Sequence, residues 1–144
     1  MINQSHKDAA LKFLAPRRRT EEEMRRHLAE KDLAQEDIAA VIDWLYGYGY
    51  LDDAAFAEAY TRDKLRFHPC GSLRLRQDLR RYGVAEDVLQ TALAKNLPVE
   101  LEKRFLNHFY QKARRRGRTH EQALRYVAGK GYPGELIHEL NELL

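Results

Sequence analysis

The sequence predicts an all-α protein of three tandem three-helix repeats forming an elongated, curved array, and three observations lead there. Apolar residues recur at three- and four-residue spacing between prolines that fall only at positions 16, 69, 98 and 133. No segment sustains the period-two alternation of a half-buried strand. Helix starts also return at a period of about fifty residues, the mark of a repeat architecture. Thr20, Gly71 and Thr119 each open a helix, with Met24, Leu75 and Ala123 at plus four and Leu28, Leu79 and Val127 at plus eight.

In the first repeat, expected over residues 1–50, a helix over about residues 5–17 precedes one that opens at Thr20. Thr20 with Glu23 forms a T-x-x-E capping box, which satisfies backbone donors left orphaned at a helix start. After a break at Lys31-Asp32-Leu33, a third helix carries the acidic first turn Glu36-Asp37 and the apolar face Ile38, Val41, Ile42, Leu45 and Tyr48. Gly47-Tyr48-Gly49-Tyr50 ends it.

The second repeat, 51–97, begins with Asp52 as the cap of a helix over about 52–67, and Leu51 is placed to pack on Phe56 as a hydrophobic staple. Capping explains the Asp52-Asp53 pair better than acid-base or metal chemistry does. A helix over 72–83 follows with Leu75, Leu79 and Tyr82 on its buried stripe, then a break at Tyr82-Gly83-Val84 and a third helix starting at Glu86-Asp87. The third repeat, 98–144, repeats the plan with a helix over 99–116, a Thr119/Gln122 capping box, a break at Gly131-Tyr132-Pro133 and an acidic start at Glu135. Units of this size bury too little surface to stand alone and must lean on their neighbours.

Several function classes drop out. The six histidines show no H-x-x-x-H pair, and Cys70 has only His68 near it, so no metal or other cofactor is expected. Phosphate-binding glycine loops, nucleophile elbows and C-x-x-C pairs are missing, so no catalytic residues are expected. No apolar run approaches a membrane span. A lone cysteine and a polar start to the chain point to a cytoplasmic protein, expected to be a monomer.

Charge is sorted along the chain. Asp32 to Glu58 holds seven acids and no Lys or Arg, Arg62 to Gly83 holds seven bases against two acids, and Lys103 to Arg118 holds seven bases and no acid. Such asymmetry suits a polyanion or an acidic groove. Arg74, Arg76, Arg80 and Arg81 project opposite the buried stripe of their helix. Arg17, Arg18, Arg19, Arg25 and Arg26 in the first repeat, and Arg114, Arg115, Arg116 and Arg118 in the third, repeat the theme. Together they predict one long partner-binding face, the alternative for each cluster being a solvated helix surface. Trp44, Tyr46, Tyr48 and Tyr50 are expected to pack within or between repeats rather than to form a base-stacking platform.

Gly49-Tyr50-Leu51-Asp52-Asp53-Ala54-Ala55-Phe56-Ala57 resembles a stretch of the bacterial RecX family, G-Y-L-D-D-x-x-F-A. The segment from Gly71 to Val84 is similar to the family's G-P-x-x-I-x-x-E-L-x-x-K-G-I, with Ser72 and Tyr82 in place of the usual Pro and Lys. Ala9 to Leu28 looks like the family's first repeat. The resemblance covers nearly the whole chain and implies three three-helix repeats. It also implies the partner: the RecA recombinase and the RecA–DNA filament, whose growth, ATPase, strand exchange and coprotease activity RecX proteins restrain. Weak direct contact with DNA is part of that expectation, and a DNA-binding helical protein acting without RecA is the alternative.

Overall fold

A computed structural model describes residues 2–144, and Met1 of the first expected repeat lies outside them. The described residues form nine α-helices and no strand. They are α1 (Gln4–Leu14), α2 (Glu21–Glu30), α3 (Gln35–Gly47), α4 (Asp53–Phe67), α5 (Ser72–Arg81), α6 (Glu86–Asn96), α7 (Val99–Arg115), α8 (His120–Gly129) and α9 (Gly134–Leu143).

Local chemistry starts these helices where the sequence predicts. The Thr20 hydroxyl accepts from the Glu23 amide at 3.2 Å while the Glu23 carboxylate accepts from the Thr20 amide at 3.1 Å. Thr119 and Gln122 repeat the box, and Asp52 accepts from the Ala55 amide at 3.0 Å. Each such cap contributes about 1 kcal/mol.

Three separate cores lie in a row, one within each of α1–α3, α4–α6 and α7–α9. Met24, Leu75, Ala123, Leu28, Leu79 and Val127, the plus-four and plus-eight positions, are all completely buried. Three expectations need correction. The first helix stops at Leu14 rather than at residue 17, because the Pro16 ring disfavours helical backbone just before it. Leu51 belongs to the first core and Phe56 to the second, so this pair straddles the module boundary instead of forming a staple within one module. Tyr48 leaves the buried face of α3, since it sits at the C-cap where the chain turns, and it is 70% exposed.

The modules join through their second helices. The turn ending α5 meets the start of α2, where the Thr20 hydroxyl donates to the Tyr82 carbonyl at 2.6 Å. The turn ending α8 meets the start of α5, where the Gly71 amide donates to the Lys130 carbonyl at 2.9 Å and the Leu73 amide to the Gly131 carbonyl at 3.0 Å. At each joint a carboxylate from the next module's first helix also takes the first amide of the second helix. Asp53 accepts from Glu21 at 3.0 Å and Glu102 accepts from Ser72 at 2.6 Å, negative charge against the positive end of a helix.

Glycine is required at these turns for space as well as for backbone conformation. A Cβ on Gly83 (φ +84) would fall within 2.5 Å of the Glu22 side chain, and one on Gly131 (φ +93) would lie 2.5 Å from the Arg74 Cβ. The same turn position in the first module is Asp32, at φ 64. It is exposed, with room for a side chain.

Glu102 is only 4% exposed, so its bond to Ser72 is made away from water. Glu102→Ala is expected to cost about 2 kcal/mol, the range for a lost hydrogen bond to a charged group, whereas Glu102→Gln keeps an acceptor and should cost less than half of that. Urea unfolding followed by circular dichroism measures both; equal losses would show that the carboxylate's acceptor role is not what matters.

Candidate docking surface

The arginines singled out in the sequence fall into two sets. In the first set each guanidinium meets a carboxylate of its own chain. Arg17 pairs with Glu23, Arg25 with Glu21 at 2.8 Å and Arg26 with Glu22 at 2.8 Å. Arg80 pairs with Glu86, and Arg81 lies 3.7 Å from Asp78. Arg19 is largely covered: it donates to the Phe13 carbonyl at 3.1 Å, stacks over the Phe13 ring and lies 3.8 Å from Glu23.

Acidity follows this pairing. The hydrogen bond from Arg25 holds the Glu21 carboxyl below its ordinary value. Burial alone would raise that of Glu23, but hydrogen bonds from Arg17 and the Thr20 amide, with the charge of Arg19, outweigh it and hold it down. The basic cluster on α2 is therefore a charge-balanced helix face. Exposed pairs of this kind are weak and contribute little to stability.

The second set, Arg18, Arg74, Arg76, Arg114, Arg115, Arg116 and Arg118, has no carboxylate within 4.0 Å among the described residues. Arg114 donates to the Arg118 carbonyl at 2.8 Å, and Arg118 lies over the Tyr126 ring at 4.2 Å. Arg115 and Arg116 are exposed at the end of α7, and Arg18 is exposed beside Tyr50. Arg74 occupies a more organised setting.

Arg74 lines a 280 Å³ cleft at the joint between the second and third modules. Lys64 from α4, Arg74 from α5, Lys112 from α7 and Lys130 from the end of α8 converge there with His68. No acidic residue lines the cleft, and none of the four cations has an ion-pair partner among the described residues. Aromatic rings form part of its wall. The Lys130 ammonium sits 4.2 Å from the Phe109 ring and 5.7 Å from Tyr126, and Phe67 at the rim is 64% exposed.

Cys70 lies at the floor. Burial raises its thiol pKa, against the opposing pull of Lys64, Arg74 and Lys130, so it is a packed thiol and not an activated nucleophile. The cleft thus offers several cations to an anionic surface, with apolar and aromatic contact beside them. Its lysines escape a reading of the sequence because they stand singly at positions 64, 112 and 130, and only the joint gathers them.

Asp52 and Asp53 are structural: one caps α4 and the other spans the first joint. Burial raises the Asp53 carboxyl's pKa, partly offset by the Glu21 amide that it accepts from. No group of three or more His, Cys, Asp or Glu that could hold a metal occurs among the described residues, and none of their helices is long and apolar enough to cross a membrane.

Two family descriptions match this chain: "RecX, first three-helix domain" over residues 7–45 and "RecX, second three-helix domain" over residues 52–93. A regulatory protein RecX of Acidithiobacillus ferrooxidans is 36% identical over 137 residues, which span 91% of this chain and 85% of that protein. The regulatory protein RecX of Geobacillus kaustophilus is 32% identical over 134 residues, 89% of this chain but 49% of that protein. One from Clostridium perfringens is 31% identical over 134 residues, 88% and 62%. The chain therefore spans about half to two thirds of the length of these last two relatives. A crystal structure of RecX from Lactobacillus salivarius superposes with a TM-score of 0.84 at 20% identity, covering 97% of this chain and 94% of that one, a likeness of fold.

Proposed function

The chain belongs to the RecX family of regulatory proteins, and from that premise we propose that it binds RecA and its nucleoprotein filament in the cytoplasm and restrains the filament's ATPase, recombinase and coprotease activities. It acts by docking, with no cofactor. The observation that carries the reading is the carboxylate-free cationic cleft at the joint of modules two and three, which offers charge to acidic protein surface or to DNA phosphate. Arg115, Arg116 and Arg118 extend the same sign of charge along the end of α7 and the start of α8.

An array of modules in the filament groove spreads its contacts over neighbouring RecA protomers. Linking several modest contacts on one scaffold raises avidity by roughly 100-fold or more without any single tight site. RecA ATPase on single-stranded DNA tests the reading. Added chain is expected to lower the rate in a dose-dependent way, near stoichiometry if it occupies the groove and well below it if it caps filament ends. An unchanged rate at saturating chain would refute it.

A further inference from the structure

The first module carries a surface of opposite sign that the cationic cleft does not use. Glu36, Asp37 and Asp43 on α3 are exposed and have no ion-pair partner among the described residues. At about 100° per residue they share one arc of roughly 120° with Trp44, opposite the buried Ile38, Ile42 and Leu45, and Tyr48 follows at the C-cap where the chain turns. Past the helix end, Tyr50 completes an aromatic cluster. Ring centroids lie 5.5 Å apart for Trp44 and Tyr48, 5.9 Å for Trp44 and Tyr50, and 6.2 Å for Tyr48 and Tyr50. Trp44 is half-buried at the root, while Tyr48 and Tyr50 are 70% and 49% exposed. Trp44 packs on the first core as expected and the Tyr48 and Tyr50 rings pack on it within the first repeat, yet both tyrosines keep about half or more of their surface open.

Clustered Tyr and Trp on a surface are characteristic of protein-binding anchors, not of a solvated helix. The molecule already shows what such rings attract, since the Lys7 ammonium lies 5.1 Å from the Trp44 ring. Arg18 borders the neighbouring notch beside Tyr50 and Asp52, the other cation at the edge of the patch. Between them α3 presents carboxylates and open ring faces. A segment with several arginines fits both, one guanidinium stacking on tyrosine while others, spread over about 16 Å of α3, pair with Asp43 or Asp37, whereas phosphate would meet like charge.

We propose that this face is a second docking surface, built for an arginine-bearing segment of a partner protein. It stands independently of the cationic cleft and of what binds there. Trp44 is the only tryptophan, so its emission reports on the patch directly. The full chain is titrated with a capped tetra-arginine peptide, with tetra-glutamate and a short deoxythymidine oligomer in parallel. A saturable change in emission is expected with tetra-arginine alone. Its Kd should weaken about tenfold in Tyr48→Ala/Tyr50→Ala and again in Asp37→Asn/Asp43→Asn, all four being exposed or terminal positions whose replacement leaves the helical circular dichroism intact. No saturable change, or the same Kd in both variants, overturns the proposal. So does saturation by the oligomer, which would make the patch a base-stacking platform, or a change on concentrating the chain alone, which would make its occupant a second copy.

Discussion

Gly71→Ala is expected to lower the free energy of unfolding by about 3 kcal/mol or more and to part the second module from the third. Gly71 has an ordinary φ of −82°, so its requirement is purely spatial. A Cβ there would lie 2.1 Å from the Gly131 carbonyl oxygen, 2.2 Å from its carbon and 2.3 Å from the Tyr132 nitrogen. All three are backbone atoms, and none can rotate aside as a side chain would. Relief requires the turn after α8 to withdraw, which breaks the bonds from Gly71 to Lys130 and from Leu73 to Gly131. Gly71 and Leu73 would then lose their partners at a helix start, where backbone donors have no intrahelical substitute.

Gly47→Ala is the matched control. It sits in the last position of α3, where an added methyl would meet nothing within 4 Å, and alanine is the better helix former there. Urea unfolding with hydrogen exchange should show the third module's amides losing protection ahead of the first module's in Gly71→Ala, and no such separation in Gly47→Ala. A cooperative transition unchanged from the parent chain would mean that the joint does not couple the modules.

How much of this is legible in sequence divides along a physical line. Helix starts and core positions are readable because capping and the 3.6-residue period are local. Thr20 and Glu23 are three residues apart, and Leu75 and Leu79 are one turn apart. The joints are not readable, since the pairing of Gly71 with Gly131 depends on which module ends meet. The cleft inherits that difficulty, because its cations come from four helices or helix ends. Density alone overstates the arginine clusters. Glu21 and Glu22 stand four residues before Arg25 and Arg26, the spacing of an intrahelical ion pair, and that pattern by itself marks α2 as self-neutralised. Periodicity places Tyr48 inward, but it stops applying at the residue where the helix ends.

Replacing Lys64, Arg74, Lys112 and Lys130 together with alanine is expected to weaken binding to the RecA–DNA filament by about 100-fold, close to 3 kcal/mol spread over four contacts. None of the four side chains makes an ion pair among the described residues, so folding should survive the change. Removing them also lowers the net charge, and loss of long-range attraction alone would weaken any anionic complex. The comparison is therefore with Arg25, Arg26, Arg80 and Arg81 replaced by alanine. That variant loses the same number of positive charges from side chains already matched by Glu21, Glu22, Glu86 and Asp78.

Equilibrium titration of the fluorescently labelled chain onto preformed RecA–DNA filaments, at one fixed salt concentration, compares the two variants directly. The cleft variant should lose about 100-fold in affinity and the charge-matched variant less than about fivefold. Equal losses in both, or a greater loss in the charge-matched variant, would contradict the placement of the docking surface at the joint of the second and third modules.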